Sequence, residues 1–233
     1  MIVREAWPFI AMGSLLTVAL AFAAARFNSM LLFVIGLVMA VLTLFTFFFF
    51  RDPERVCPDQ PDILLAPADG KVVAVTPIGF HPYIGSDAVR VSIFLSIFDV
   101  HVNRVPASGV IDFVNYNRGK FLAAFVHKAS QENEQTEIGM TTEGGQKLIF
   151  KQIAGLVARR IVCRLKPGDR RVAGDEFGMI RFGSRADLII PADSRIEVEV
   201  GDRVAGGESV IGYLNPVPMS GQEPSPEGNH AEL

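Results

Sequence analysis

Two long apolar runs near the N-terminus constrain the fold of this chain more than any other feature. Residues 9–25 and 30–50 contain no charged side chain, and only Arg26 to Ser29 separate them. A transmembrane helix needs roughly 20 apolar residues, a length that the second run meets and the first nearly meets. The pattern predicts a transmembrane helical hairpin over residues 1–50, which returns the chain to the side on which it began.

A cleaved signal peptide is the alternative for the first run, because the small residues at 21–25 resemble a cleavage site. The leading segment carries one Arg and one Glu, however, and a second, longer apolar run follows at once, which favours the hairpin. Arg51 and Arg55 flank the second run, whereas Arg26 is the only charge in the turn. This distribution favours a protein of the cell (inner) membrane whose following domain lies on the cytoplasmic side.

The rest of the chain has the pattern of a mainly β domain. Residues 51–62 are polar and rich in proline, as is typical of a juxtamembrane linker. From residue 63 onward, short β-like runs alternate with Gly, Pro and Asp, and only residues 118–130 have helical spacing. The polar stretch 216–233 predicts a disordered tail. We therefore expect an α+β, mainly β domain over 63–215, with a sandwich or barrel-like sheet and one or two helices.

A weak internal repeat lies near the end of this domain. KPGDRRVAGDEFGMIRFG at 166–183 and EVGDRVAGGESVIGYLN at 199–215 share Gly-Asp-Arg, a Val, a Gly and a return to apolar residues. The pattern predicts two related, hammerhead-like β-hairpins in one barrel or sandwich. Biotin and lipoate carriers use a similar arrangement but present a lysine in the hairpin turn, which neither copy has. A membrane-anchored carrier or binding module is nevertheless an alternative function.

Charge and cysteine content narrow the function further. The formal net charge is −3 and no basic block is present, so we expect no nucleic-acid partner. Cys57 and Cys163 have neither metal-ligand spacing nor the pattern of a disulfide framework. We therefore expect no metal site and two unpaired thiols in a reducing compartment.

Polar residues that could carry chemistry follow or precede the predicted strands. Asp69 lies in an Ala-Asp-Gly sequence directly before a strand, where Asp-Gly is a common turn. His101, with Asn103 and Arg104, follows the apolar strand that ends at Asp99. A histidine can accept and return a proton near neutral pH. A single histidine and a single Asp-Gly turn are also ordinary structural features, so these segments alone leave their role open.

Ser184 lies in a Gly-Ser pair between two apolar, strand-like runs at 179–191, where a tight turn is the ordinary explanation. A serine nucleophile needs activation by a histidine and a carboxylate, and the fold could bring His101 and Asp69 together with it. The Gly-x-Ser-x-Gly elbow and the alternating pattern of α/β-hydrolases are absent, which disfavours an ordinary serine hydrolase without removing it as an alternative.

The Gly-Ser pair also permits a different reaction. The Ser184 hydroxyl can attack the carbonyl of Gly183, which lacks a side chain and has a wide range of backbone angles. The resulting ester can undergo β-elimination, and the new N-terminal dehydroalanine then tautomerises and hydrolyses to a pyruvoyl group. Such a ketone condenses with a primary amine and accepts electrons during a decarboxylation, without pyridoxal phosphate.

Taken together, these segments resemble the short, membrane-associated phosphatidylserine decarboxylase proenzymes of bacteria and archaea. The resemblance covers about two thirds of the chain, from Ala66 to roughly Leu214. The resemblance rests on the combination of several stretches, because no single stretch is specific to the family. The matching stretches, in family order, are PADGKV at 67–72, DVHVNRVPASG at 99–109, GKFLAAFVHKASQENE at 119–134, QIAGLVARRIV at 152–162 and GMIRFGSRADLIIP at 178–191.

The resemblance implies a self-processing, pyruvoyl-dependent lyase that makes phosphatidylethanolamine. Cleavage between Gly183 and Ser184 would give chains 1–183 and 184–233, which stay together as a heterodimer. Ser184 would become the pyruvoyl group that forms a Schiff base with the serine headgroup of a membrane phospholipid. The family also leads us to expect a homo-oligomer, no pyridoxal phosphate and no metal.

The resemblance also implies roles for other side chains. His101, oriented by Asp69, would deprotonate Ser184 and assist proton transfer in the decarboxylation. Longer relatives have His-x-x-His before a proline, and here Arg104 occupies the second place. Arg104 or Arg185 would hold the lipid phosphate or carboxylate by bidentate hydrogen bonds, with a solvated surface charge as the alternative for Arg185.

Overall fold

The structure, a computed structural model, shows an apolar helical hairpin followed by a mainly β domain, as the sequence predicts. The described residues are 1–58, 60–119, 133–155, 161–181 and 184–215. The predicted tail at 216–233 and all but the first two residues of the predicted helix at 118–130 lie outside them. The division of the chain at residues 50, 62 and 215 stays a prediction.

Helices α1 (Trp7–Phe27) and α2 (Met30–Phe49) form the hairpin, after a 3₁₀ turn at Arg4–Ala6. Both helices are long and apolar enough to cross a bilayer, and most of their large apolar side chains are exposed. Asn28 ends α1 in the left-handed conformation at φ 49°, as a C-terminal cap often does. The Ser29 hydroxyl then accepts a hydrogen bond from Leu32 N and begins α2.

The two ends of the hairpin are joined to each other. Val3 N donates to Phe50 O at 3.1 Å, and Asp52 N donates to Met1 O at 2.7 Å. The charged amino group of Met1 also donates to Asp52 O at 2.6 Å. These bonds place the N-terminus and the start of the β domain on the same side of the hairpin.

Fourteen strands lie in the described part of the chain, and every pairing between them is antiparallel. A curled sheet has the order β13-β2-β3-β11-β7-β6-β5-β9, and two three-stranded sheets have the orders β1-β14-β12 and β4-β10-β8. The strands are β1 (Ile63–Leu65), β2 (Gly70–His81), β3 (Ser86–Leu95), β4 (Val102–Arg104), β5 (Gly109–Asn117), β6 (Gln135–Thr142), β7 (Lys147–Ile153), β8 (Ile161–Cys163), β9 (Arg170–Arg171), β10 (Glu176–Ile180), β11 (Ser184–Pro191), β12 (Arg195–Ile196), β13 (Arg203–Val204) and β14 (Val210–Tyr213).

The two copies of the repeat have the same local geometry, but neither is a hairpin. Gly168 and Gly201 have positive φ, and the aspartate after each accepts a hydrogen bond from the N–H of Lys166 or Glu199. The strands within a copy do not pair with each other: β9 joins β5 and β13 joins β2, at the two edges of the curled sheet, while β10 and β14 join the small sheets. Each copy is therefore a corner between two sheets.

One end of the curled sheet lies beside the base of the hairpin. Here β11 begins and β3 ends, with Ser184 opposite Leu95. The loop from residue 96 to 101 continues from this end, and its Val100 packs with Phe49 and Phe50 of the hairpin in one buried apolar cluster. The sequence-predicted serine and histidine thus lie at the end of the β domain that the hairpin covers.

Candidate active site

Ser184 is the first residue of β11 and is completely buried. Its Oγ has no hydrogen-bond partner among the described residues, while Gly183 lies outside them. Leaving a buried hydroxyl unpaired costs about 1–3 kcal/mol, and such groups often mark a functional site. The strand therefore holds a buried hydroxyl that none of the described residues engages, at the predicted cleavage position.

His101 lies between β3 and β4 and is also completely buried. Its Nδ1 is 2.9 Å from the Asp99 carbonyl oxygen, so Nδ1 carries the hydrogen and donates, and Nε2 keeps a free lone pair. Nε2 is buried and has no partner in the described part of the chain. Burial lowers the pKa of His101 from 6.5 to about 4, and the imidazole is therefore a neutral base at pH 7.

Two contacts fix the position of His101. Ile180 N, at the end of β10, donates to His101 O at 3.2 Å, which ties the histidine to a strand that ends four residues before Ser184. The Phe49 ring, at the end of α2, packs against the imidazole with centroids 4.3 Å apart and planes at 37°. Sequence reasoning missed Phe49, although the four consecutive phenylalanines at 47–50 mark the end of the hairpin as unusually aromatic.

A buried amide pair lies beside the same strand. Gln152 of β7 lies opposite Ala186 of β11, and its Nε2 donates to Asn103 Oδ1 at 2.9 Å. Gln152 Oε1 and Asn103 Nδ2 have no partner among the described residues. Gln152 was not identified from the sequence, although a glutamine within the apolar strand LIFKQI is a signal. The pair adds an amide donor and an amide acceptor to the surroundings of β11.

Comparison with known proteins assigns the family. The family model for phosphatidylserine decarboxylase matches residues 42–212. The chain is 41% identical over 213 residues to the phosphatidylserine decarboxylase proenzyme of Desulfotalea psychrophila, across 91% of this chain and 96% of the relative. Identity is 48% over 187 residues to the proenzyme of Chlorobium phaeobacteroides, across 77% and 86%, and 44% over 216 residues to that of Symbiobacterium thermophilum, across 91% and 95%.

This chain belongs to the phosphatidylserine decarboxylase family. Membership supports a decarboxylase that acts on phosphatidylserine, and the word proenzyme in the relatives' names refers to a precursor. No group of three His, Cys, Asp or Glu side chains that could hold a metal ion occurs among the residues described above. A pocket of about 630 Å³ lies at the opposite end of the curled sheet, beside Tyr83 and Lys147, and is separate from this site.

Asp69 does not orient His101 in this member of the decarboxylase family. Its carboxylate accepts from Arg55 Nη2 at 2.8 and 2.6 Å and from Gly206 N at 2.8 Å, and the acceptor at His101 Nδ1 is the Asp99 carbonyl. Burial raises the pKa of the Asp69 carboxyl, although the Gly206 and Arg55 bonds act in the opposite direction. Asp69 therefore fastens the segment that follows the hairpin to the β domain.

Arg104 is similarly engaged. Its Nη2 donates to Asp52 Oδ1 at 2.6 Å, and its Nη1 donates to Gly174 O at 3.1 Å. The sequence-based assignment of Arg104 to a lipid phosphate conflicts with these bonds, because both ends of the guanidinium already hold protein acceptors. Together, the Asp52–Arg104 and Arg55–Asp69 pairs attach the residues that follow the hairpin to the β domain.

Arg185 is neither a solvated surface charge nor exposed to a headgroup. It is 1% exposed, and its guanidinium donates to Asp187 Oδ1 at 2.6 Å and to Ser92 Oγ at 2.5 Å. Both partners are fully buried. The sequence-based expectation fails because Arg185 points to the opposite face of β11 from Ser184, as alternate strand residues do. The ion pair anchors the residue that directly follows Ser184.

Proposed function

We propose that this chain converts phosphatidylserine to phosphatidylethanolamine through a pyruvoyl group that it makes from Ser184. The observation that carries the proposal is the buried Ser184 hydroxyl at the start of β11, which has no hydrogen-bond partner in the described part of the chain. It lies at the end of the sheet where His101 presents a neutral imidazole. Family membership supports the substrate and the loss of CO₂. The group is covalent, and the proposal requires neither pyridoxal phosphate nor a metal.

Self-cleavage is proposed to begin with His101 Nε2 as the base for the Ser184 hydroxyl. Ser184 Oγ attacks the Gly183 carbonyl, the peptide C–N bond breaks, and the amide nitrogen takes up the proton, which leaves an ester. Removal of the Ser184 Cα proton then expels the Gly183 carboxylate and leaves dehydroalanine on the new N-terminus. Tautomerisation and addition of water release ammonia and leave the pyruvoyl group.

Once formed, a pyruvoyl group supplies a ketone that binds the substrate amine and accepts the electron pair released with CO₂. The surrounding residues supply the setting for this chemistry. Burial of Ser184 and His101 excludes bulk water, which strengthens local electrostatic interactions. The Arg185–Asp187 pair holds the second residue of the new chain, directly after Ser184, so that the new chain end stays in place.

The fold supports a heterodimer of chains 1–183 and 184–233. Strand β11 lies between β3 and β7, with residues 184–191 opposite β3 and residues 185–189 opposite β7. Cleavage before residue 184 leaves this central strand bonded on both sides. We also expect these heterodimers to assemble into a homo-oligomer, as the family resemblance implies.

The hairpin is proposed to hold the site at the cytoplasmic face of the inner membrane. Two apolar helices support the anchoring, and the arginines that follow α2 support the orientation. A lipid substrate then need not leave its bilayer, because the tethered site samples a high local concentration of headgroups.

Intact-mass measurement of the purified protein tests the proposal. Wild-type protein is expected as two chains, with a pyruvoyl-blocked N-terminus at position 184, and it should form phosphatidylethanolamine from phosphatidylserine. Ser184→Ala should give one full-length, inactive chain. Ser194→Ala is a matched control, because Ser194 is also buried with an unpartnered hydroxyl among the described residues, and it should process normally. A preparation that forms phosphatidylethanolamine but contains one uncleaved chain would refute self-cleavage.

A further inference from the structure

The 96–99 loop, residues Ser96 to Asp99, presents two apolar side chains to solvent just before the catalytic histidine. Phe98 is 64% exposed and Ile97 is 41% exposed. Neighbouring large apolar side chains that are exposed to water beside a candidate active site are unfavourable in solution. Such exposed apolar surface often marks a binding site. Val100, in contrast, turns inward and packs against Phe49 and Phe50.

The 96–99 loop is held in shape by its own hydrogen bonds. Ser96 N donates to Asp99 Oδ2 at 2.8 Å, Asp99 N donates to Ser96 O at 3.1 Å, and Phe98 N donates to Ser96 Oγ at 3.3 Å. Arg203 Nη1 adds a bond to Asp99 Oδ1 at 3.0 Å. The loop therefore projects Ile97 and Phe98 outward as a fixed tip.

Arg51 ties this tip to the end of the second apolar helix. Its Nη1 donates to Phe48 O at 2.8 Å and its Nη2 donates to Phe98 O at 2.7 Å. The guanidinium also lies over the Phe48 ring, 4.0 Å from its centroid. One guanidinium thus bridges the C-terminal turn of α2 and the tip of the loop, so Phe98 lies level with the last residues of α2.

The charges beside the tip suit an anionic lipid surface. Arg51 and Arg203 flank the loop; each already donates to a protein acceptor, so each contributes its charge rather than a hydrogen bond to lipid. Lys71 lies opposite Arg203 in the β2–β13 pair. Arg203 is largely exposed, and Lys71 is exposed as well. An apolar tip with a basic rim is the combination that binds the boundary between headgroups and acyl chains.

We propose that Ile97 and Phe98 insert into the headgroup boundary of the bilayer and form a second membrane contact, separate from the hairpin. The contact would fix the orientation of the β domain and hold His101, two residues beyond Asp99, at headgroup level. Two contacts restrict the tilt of the protein in the bilayer more than the hairpin does alone. The inference rests on the membrane-spanning hairpin proposed above, and the test separates the two.

Depth-dependent fluorescence quenching tests the proposal on the full chain in phosphatidylcholine–phosphatidylglycerol nanodiscs. The single native tryptophan, Trp7, is first replaced by phenylalanine. Phe98→Trp then reports on the tip, Val38→Trp on α2, and Phe80→Trp serves as the matched control. Phe80 is 66% exposed and lies at the opposite end of the sheet, where it pairs with Asp87.

Lipids brominated near the headgroup end of the acyl chain should quench Phe98→Trp and shift its emission to shorter wavelength. Phe80→Trp should show neither effect, and lipids brominated deep in the chain should quench Val38→Trp. Quenching of Val38→Trp without quenching of Phe98→Trp would overturn the tip contact and leave the hairpin intact. Absence of both would overturn the hairpin as well. Shielding of Phe98→Trp from aqueous acrylamide without lipid quenching would assign the tip to a protein partner instead.

Activity on membranes provides the second readout. Phe98→Asp should self-cleave normally but turn over phosphatidylserine in vesicles several-fold more slowly than the wild type, while Phe80→Asp should match the wild type. The deficit should shrink when the substrate is presented in detergent micelles, because orientation on a bilayer then no longer matters. Equal rates for Phe98→Asp and Phe80→Asp on vesicles would contradict the proposal.

Discussion

The Phe49 ring at the end of α2 packs on the imidazole of His101, with ring centroids 4.3 Å apart. The last turn of an apolar helix thus forms one wall around a side chain that is predicted from the sequence to be catalytic. Phe49 is 1% exposed and belongs to a buried cluster that also contains Val100 and Val102, on either side of His101. The hairpin therefore contributes to the environment of the site in addition to its proposed role as an anchor.

Replacement of Phe49 by alanine should raise the pKa of His101 from about 4 toward its ordinary value of 6.5. Burial is the main cause of the lowered pKa, and loss of the ring admits water that stabilises the imidazolium. NMR titration of the imidazole nitrogens in the uncleaved Ser184→Ala background measures the shift. Phe33→Ala, an exposed position on the same helix, is the control. An unchanged His101 pKa in Phe49→Ala would show that the hairpin does not desolvate the site.

His101 should also make folding stability depend on pH. The unfolded chain binds a proton at His101 below pH 6.5, but the native state does so only near pH 4. The unfolded state therefore binds more protons between these values, and stability should fall as the pH drops through this window, by about 3 kcal/mol in total. Denaturant unfolding at several pH values measures this effect in two proteins, Ser184→Ala and Ser184→Ala with His101→Gln. The difference between them is the contribution of His101 to the pH dependence of stability. Equal pH dependence in both proteins would contradict the buried neutral histidine.

Loss of either charge of the buried Arg185–Asp187 ion pair should lower the free energy of unfolding strongly, because each charge depends on the other. Removal of one partner leaves an uncompensated buried charge, so Asp187→Ala should cost about 3–5 kcal/mol of unfolding free energy. Arg195–Glu197 has the same spacing but is 66% and 44% exposed, so Glu197→Ala should cost at most about 1 kcal/mol. Urea unfolding in the uncleaved Ser184→Ala background measures both.

A second variant separates the effect of losing one charge from the effect of altered packing in β11. Arg185→Met with Asp187→Leu removes both charges and fills similar volume, so it should recover much of the stability lost in Asp187→Ala. Equal losses in the double variant and in Asp187→Ala would show that the charges themselves contribute little. Chain separation after cleavage, measured by gel filtration, should increase in Asp187→Ala if the pair holds the new chain end.

Local patterns made the hairpin and the β runs predictable, because hydropathy and strand periodicity depend on neighbouring residues only. The strand expected directly after Asp69 is β2, and the apolar run expected after Gly183 is β11. Short motifs singled out Ser184 and His101, whose catalytic roles stay predictions. The partners of Asp69, Arg104 and Arg185 were not predictable, because they are set by which segments meet in three dimensions. The repeat is a further example. Its Gly-Asp turns can be recognised in the sequence, but the sheet that each of its strands joins cannot.

The Arg55–Asp69 pair yields the final prediction, which concerns how the segment after the hairpin is attached to the β domain. Both side chains are largely buried, and Arg55 contacts both carboxylate oxygens of Asp69. Arg55→Ala and Asp69→Asn should each destabilise the uncleaved protein. Their double-mutant cycle should show a coupling energy of ~1–2 kcal/mol, because each removes the same interaction. Additive effects would mean that Asp69 acts through other contacts.

The second carboxylate on Arg55 supplies the control. Glu208 accepts from Arg55 Nη1 at 3.0 Å but is 44% exposed, so Glu208→Gln should change stability by less than about 1 kcal/mol. Self-cleavage kinetics, measured by the appearance of chain 184–233, then separate two roles for Asp69. If Asp69 serves processing only by holding Arg55, Arg55→Ala and Asp69→Asn should slow cleavage to the same extent. Slower cleavage in Asp69→Asn alone would assign the carboxylate a direct part in the reaction.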